Sequence, residues 1–514
     1  MNDISDQSPV RPKNAIVILL DSLNRHMLGA YGGTEFKTPN LDAFARRSMK
    51  FNNHFVGSLP CMPARHDILC GSLDFLWKPW GSIELWEDPI TWPLREKGVV
   101  TQLITDHPHL FEVGGENYYT DFNAWDYLRG GEHDSWKTRA DPSFIGAPHH
   151  KQARLGKAEL AYDRSRSYFK DETDFPGPKT MQATADWLEM NGGHHDNFFL
   201  FVDEFDPHEP FDTPEPWASM YDPDWKDPRI VWPPYAVGAI RDGLMSEKEG
   251  QHLRANYGGK LSMIDHWFGK VIEKITEKDL WKDTMVILCT DHGHYLGEHD
   301  TWGKPGAPIR RTLGHIPLMV AWPGLEPGET DALTTSVDIH ATLLDMFGAQ
   351  VEHITHGSSM IPLLEGTADK IRDYALGGVW GREVHLFDGT WNYSRGAAGK
   401  NYPISIYSNR WSTLSNNMFR KGLAMPPPNE KAFLDRMPGS DIPVIRQPYE
   451  EGDKGVHWHS KKPGETHLWN IKDDPGESEN LVGAPEEAEL AQKLGDALRD
   501  INAPEDQFKR LGLL

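Results

Sequence analysis

The chain has 514 residues, 53 Lys+Arg against 76 Asp+Glu and a net charge of −23, a length that suggests roughly two to four domains, or one large α/β domain with an appendage. Apolar residues make up 38% and charged residues 25%, as in globular and not disordered chains; the longest clean apolar run, residues 15–20, is far short of the roughly 18 that cross a bilayer, which excludes a membrane-spanning protein. The acidic balance and the lack of a Lys/Arg block exclude nucleic acid as a partner, and any anion site must be a local cluster of cations set against the global field.

The N-terminal stretch MNDISDQSPVRPKN carries Asp3 and Asp6 and does not read as a secretory signal. Three cysteines, Cys61, Cys70 and Cys289, cannot build a disulfide framework. A cytoplasmic setting is expected, or a periplasmic one if a leader has been removed. Residues 15–20 (AIVILL), uniformly apolar and rich in β-branched side chains, predict a strand covered on both faces and ended by Asp21. Similar runs follow at 99–104, 198–202, 285–289 and 318–321. Helical patterns lie between them at 179–190 and at 261–275, where Leu261, Ile264, Phe268, Val271, Ile272 and Ile275 recur at helical spacing. Buried strands alternating with helices predict an α/β fold, a large mostly parallel sheet sandwiched between helices. Ligands gather at the carboxyl ends of such strands, which places Asp21, residues 105–107, Asp203 and Asp291 on one edge.

After about residue 370 the texture changes. Residues 383–387, 390–393 and 404–408 read as short strands, 426–465 as a long loop or arm, and 484–501 as a helix with an apolar stripe of Leu490, Leu494, Leu498 and Ile501. The expected division is a catalytic α/β domain, 1–370, and a smaller C-terminal α+β domain, 371–514.

Pro60-Cys61-Met62-Pro63-Ala64-Arg65 opens a helical run, and a cysteine at a helix start faces N–H groups that favour an anion; a buried cysteine beside a Pro-started helix is the plain alternative. Cys61, Pro63 and Arg65 match C-x-P-x-R, which resembles the sulfatase signature. The resemblance continues in order through Asp21, Tyr31-Gly32 and Thr38-Pro39-Asn40-Leu41-Asp42, then Thr290-Asp291-His292-Gly293 and Leu296-Gly297-Glu298-His299. It goes on through Trp302-Gly303-Lys304-Pro305, Ile316-Pro317-Leu318 and Trp322-Pro323-Gly324. It closes on His467-Leu468-Trp469-Asn470-Ile471 and Asp473-Asp474-Pro475-Gly476-Glu477. Over roughly residues 14–485 the chain is identified as a member of the formylglycine-dependent sulfatases of the alkaline-phosphatase superfamily, in the arylsulfatase and phosphonate monoester hydrolase branch.

That resemblance implies an alkaline-phosphatase-like fold and a hydrolase whose Cys61 is oxidised to formylglycine by a formylglycine-generating enzyme. One hydroxyl of the aldehyde hydrate attacks sulfur and the other collapses the hemiacetal to eject sulfate. A tetrahedral ester ringed by negative oxygens needs a cation to hold those oxygens and to acidify the nucleophile. Asp21, Asp291, His292 and residue 61 are the implied ligands of one divalent ion. Arg65 is expected to hold the hydrate's oxygen, His208 in Asp206-Pro207-His208-Glu209-Pro210 to protonate the leaving oxygen, and Lys304 to grip the ester. In Thr105-Asp106-His107-Pro108-His109, where many sulfatases carry Gly-Lys-Trp-His, His107 is the expected base for hydrate collapse, with His109 the alternative.

Two departures bear on metal and substrate. Ser22 stands where many sulfatases have a second acidic residue, and Asp291-His292-Gly293 where many have Asp-Asn-Gly. Losing a carboxylate and gaining an imidazole moves preference from a Ca²⁺ cage toward Mn²⁺, Fe²⁺ or Zn²⁺; Mn²⁺ is expected, Ca²⁺ the alternative. The Asp-His-Gly form is similar to the phosphonate monoester hydrolases. Expected is hydrolysis of a small-molecule sulfate monoester, with phosphonate monoester or phosphodiester hydrolysis by the same apparatus as the alternative. A two-metal phosphodiesterase would need further ligands and a Ser/Thr nucleophile, and a decayed binding protein would have lost some of these residues. No membrane partner is expected, and a homo-oligomer is, with 426–465 as its arm. Asp203 reads as a hydrogen-bonding or capping residue, His299 and His315 as structural, and Trp77, Trp80, Trp86 and Trp92 as core.

Overall fold

The computed structural model describes residues 11–144, 157–306, 308–410, 430–453 and 464–514. The first apolar run forms the strand Asn14–Leu20, whose two faces fill different cores: Ala15, Val17 and Leu19 pack on one side, Ile16, Ile18 and Leu20 on the other. A strand buried on both faces has no polar period to show, which is why it reads as an unbroken run. It lies inside an eight-stranded sheet ordered Gly328–Thr335, Met49–Phe55, Leu318–Ala321, Thr284–Cys289, Asn14–Leu20, Phe198–Glu204, Val100–Thr105, Ala124–Tyr127. Leu318–Ala321 runs against both its neighbours; the other pairings are parallel.

Helices cover both faces. Pro176–Asn191 and the 31-residue Glu247–Glu277 contain the two predicted helical patterns and lie on one side, where Leu253, Leu261, Ile264, Phe268 and Val271 meet the even-numbered face of the first strand. Cys61–Cys70 and Val337–Phe347 lie on the other. Met49–Phe55, Ala124–Tyr127 and Gly328–Thr335 escape the hydrophobic pattern because many of their side chains are half-buried or exposed and their sequences are correspondingly polar.

Beyond residue 370, Ala375–Gly378, Val384–Phe387, Trp391–Arg395 and His467–Asn470 form an antiparallel sheet. The reading of 426–465 as a loop or arm is corrected in its described part: Phe433–Arg436 pairs with Pro443–Tyr449, which pairs in turn with Ile404–Ser408. Prolines at 443 and 448 and the charged Arg446 hide that strand from pattern reading. The remaining residues, 426–429 and 454–463, lie outside the described residues. The final predicted helix is Glu486–Asp500, burying Leu490, Leu494 and Leu498, and a further helix, Glu505–Leu511, follows it. Trp77 and Trp80 are core residues, whereas Trp92 is 45% exposed and is not. Among the described residues no helix is long and apolar enough to cross a membrane.

Candidate active site

Asp21 and Asp291 follow neighbouring parallel strands, so the backbone alone brings their carboxylates together at the carboxyl edge of the sheet. Cys61, the first residue of the helix Cys61–Cys70, points its sulfur into the same space. Ligand-type atoms of Asp21, Cys61, Asp291 and His292 all lie within 4.8 Å of one another, and all four residues are buried. Cys61 Sγ is 3.3 Å from His292 Nε2, and that nitrogen is 3.2 Å from Asp291 Oδ2. His292 Nδ1 lies 2.9 Å from the Gly293 carbonyl, which only an N–H can satisfy, so the lone pair is on Nε2. Burial, aided by the Lys304 and Arg65 charges, pushes the imidazole down to about 3 and keeps it neutral.

Burial and the facing Asp291 drive Asp21 well above the ordinary carboxylate range, while Arg65, the hydrogen bond from Asp21 and the Lys304 charge overcome burial to hold Asp291 below it. Two buried carboxylates split this way want a cation between them. Two carboxylates, an imidazole lone pair and residue 61 make a donor set suited to a borderline divalent ion. The residues therefore fit the metal that the sequence implies.

Arg65 is fully buried and its N–H groups are spoken for. Nη1 donates to Asp291 Oδ2 at 2.8 Å and to the Cys61 carbonyl at 3.2 Å, Nη2 to Asp21 Oδ2 at 2.9 Å, and Nε and Nη2 clasp Asp203 at 3.0 and 2.7 Å. Asp203 was placed past its strand by the sequence pattern; it lies within Phe198–Glu204, opposite Leu19, and the hydrogen-bonding role foreseen for it is this bidentate grip. Burial opposes the guanidinium's charge, and Asp203, Asp21 and Asp291 more than restore it.

Lys304 Nζ stands 2.8 Å from His208 Nε2 and 3.3 Å from Ser22 Oγ, which donates to Asp21 Oδ1 at 2.8 Å. Ser22 adopts a left-handed φ of 61° and gives its own N–H to Asp291 Oδ1. His208 Nδ1 donates to the Glu209 carbonyl at 2.8 Å, leaving Nε2 to accept from Lys304. Burial and that ammonium, against Glu209, push His208 down to about 3. The Glu209 carboxylate is fixed by His294 at 3.1 Å and by the Tyr235 hydroxyl, and Lys260 ties down the His208 and Pro210 carbonyls. His107 is wholly buried, its Nε2 3.9 Å from Asp21 Oδ2; neither ring nitrogen has a hydrogen-bond partner among the described residues. Burial, then the Arg65 charge, holds it neutral. His109, the alternative base, has its nitrogens turned to Glu112 and Glu132.

Asp21, Cys61, Arg65, His107, His208, Asp291, His292 and Lys304 thus share one site. Ser22 stands at a departure from the family pattern, Glu209 lies inside the Pro-His-Glu-Pro stretch and His294 directly follows Asp291-His292-Gly293, whereas Tyr235 and Lys260 sit beside no motif.

The family model described as Sulfatase matches residues 13–349. The chain is 26% identical over 418 residues to the choline-sulfatase of Rhizobium meliloti (strain 1021), covering 74% of this chain and 77% of that one. It is 26% identical over 419 residues to the multifunctional alkaline phosphatase superfamily protein PehA of Trinickia caryophylli, covering 68% and 77%. Its fold superposes on the phosphonate monoester hydrolase of Agrobacterium radiobacter with a TM-score of 0.65 at 18% identity, covering 96% of each chain.

Proposed function

The chain belongs to the sulfatase family, and on that premise we propose that it hydrolyses sulfate monoesters of small molecules, in the manner of an arylsulfatase. The reaction uses residue 61 as formylglycine and one divalent ion, Mn²⁺ before Ca²⁺, held by Asp21, residue 61, Asp291 and His292. The carrying observation is the side chain of Cys61, buried at a helix start inside the same 4.8 Å cluster as two carboxylates and an imidazole. When bound, the ion supplies the charge that holds ester oxygens and acidifies an attacking hydroxyl.

The chain's own residues do the rest. Arg65 grips Asp21 and Asp291 and keeps them aimed, so its part is to set the carboxylates more than to touch the nucleophile. Lys304 and His208 share a proton across 2.8 Å, and from that pair the leaving oxygen is protonated. His107, with both nitrogens unpartnered, is the base that takes the proton from residue 61 as the product departs. The cations Arg65 and Lys304, with a doubly charged ion, offset the carboxylates of Asp21, Asp203, Asp291 and Glu209 and set positive charge locally where the ester oxygens would lie. Local cations of that kind suit an anionic ester.

Phosphonate monoesters and phosphodiesters are monoanions too, and Ser22 in place of a second carboxylate favours no one of the three; hydrolysis at phosphorus is the second reading. Comparing kcat/KM on matched aryl sulfate, phosphonate and phosphodiester substrates decides: the sulfate should lead, and equal or greater efficiency on phosphorus overturns the first reading. Cys61→Ala should abolish turnover on all three while leaving the fold nearly intact, and full activity in that variant would remove the covalent mechanism altogether.

A further inference from the structure

Outside the active site the described residues hold two other groupings of metal-ligating side chains. In one, His66, Cys70 and Glu87, the Lys78 ammonium stands 3.7 Å from Glu87 Oε2 and already fills the place of a cation. The other is built from His109, Glu112 and His133, with Glu132 beside them, and among the described residues no lysine or arginine pairs with either carboxylate.

Its geometry is two-sided. Glu112 faces one nitrogen of each imidazole, Oε1 at 2.6 Å from His109 Nδ1 and Oε2 at 3.1 Å from His133 Nε2. Glu132 faces the other nitrogen of each, its Oε2 at 2.9 Å from His133 Nδ1 and 3.5 Å from His109 Nε2. The rings are 4.6 Å apart, and no side chain of the four is more than 13% exposed. Without an ion, a protonated His133 can give an N–H to each carboxylate, and Glu132 and Glu112 hold it up to about 10 against burial; making hydrogen bonds of all four contacts would need a second imidazolium at His109, which like charge opposes. With an ion on the Glu112 side, both rings are neutral, each giving its far N–H to Glu132. That is the arrangement in which a metal-ligating histidine is oriented by a carboxylate behind it.

We propose that His109, His133 and Glu112 form a second divalent-cation site, of the two-histidine, one-carboxylate kind that takes Zn²⁺ with a position left for water, and that Glu132 is the positioning residue for both imidazoles. The site clips together the segments that follow two adjacent parallel strands, Val100–Thr105 and Ala124–Tyr127. It lies behind His107, whose ring is 5.2 Å from that of His109. It is separate from the first metal site and independent of formylglycine.

The test uses full-length, chelator-stripped protein carrying Asp291→Asn and His292→Ala to disable the first site, titrated with Co²⁺ alone and followed by visible d–d absorption, with circular dichroism reporting the fold. One equivalent should bind per chain. Adding His133→Gln should abolish it, and adding Glu132→Gln should weaken it about 10–100-fold at unchanged stoichiometry. A folded double variant that binds no Co²⁺, or one that binds equally well with His133→Gln, overturns the proposal. Should the double variant not fold, metal analysis of wild type loaded with Co²⁺ against His133→Gln serves instead: two ions falling to one supports the site, and an unchanged count overturns it.

Discussion

Arg65 is the side chain on which the charge balance of the active site turns, and Asp203 is what holds it. Removing one partner of a buried charge pair typically costs about 3–5 kcal/mol; because Asp21 and Asp291 remain, Asp203→Asn belongs at the low end, about 3 kcal/mol in urea unfolding. The loosened guanidinium should also disturb the two carboxylates, with activity falling about 10–100-fold. An unshifted urea midpoint would deny Asp203 this part. The histidines make a second prediction. His208 and His292 are both pushed down to about 3 by burial first and by the Lys304 charge after it, so neither gains a proton near the ordinary histidine value of about 6.5. Neither imidazole should therefore contribute an acid limb to kcat/KM above about pH 5, and an inflection near 6.5 that His208→Gln removes would mean that His208 is solvated. The same shifts carry a sign for stability. The unfolded chain takes up protons below about pH 6.5 that the folded one refuses, so this contribution is whole above 6.5 and is lost as pH falls toward about 3. Thermal melts between those limits check it.

At the scale of elements, what could be read ahead was local. Residues 15–20 announced a strand because both faces are buried, and Cys61-x-Pro63-x-Arg65 announced its chemistry because one helical turn contains it. The strands Met49–Phe55 and Gly328–Thr335 gave no such signal, since half-exposed positions admit Asn, Glu and Thr. Long-range pairings were silent for another reason: Arg65 meets Asp203 across 138 positions and Glu209 meets His294 across 85, and nothing in either segment's own pattern requires the other. One element can be tested by its cap. The 31-residue helix begins where Ser246 Oγ accepts from the Glu249 N–H and Glu249 returns a carboxylate to the Ser246 N–H. It carries Tyr257, bonded to Ser22, and Lys260, bonded to His208. Ser246→Ala should cost about 1 kcal/mol and leave kcat unchanged, because both of those contacts lie at least three turns from the cap. A large loss of activity would show that fraying reaches the site.

On the scale of the whole molecule, the expected boundary at 370/371 crosses two shared cores. Leu73, Phe75, Leu76 and Trp77, beside the nucleophile helix, pack with Leu376, Val384, Leu386 and Tyr393; Phe55, Val56 and Leu59 pack with Ala375, Phe387 and Trp469. The bridge between Ser58 and Gly378, three residues before Cys61, carries that union to the edge of the active site. Fully burying one such side chain contributes about 1.5–3 kcal/mol, so uncovering several at once exceeds the whole stability of an ordinary domain, about 5–15 kcal/mol. A chain ending at residue 370 should therefore show no cooperative melt in calorimetry and should bind a hydrophobic dye, whereas the full chain melts cooperatively. A sharp transition in the shortened chain would mean that the two halves fold apart and that the C-terminal sheet is an addition to the site and not one of its walls.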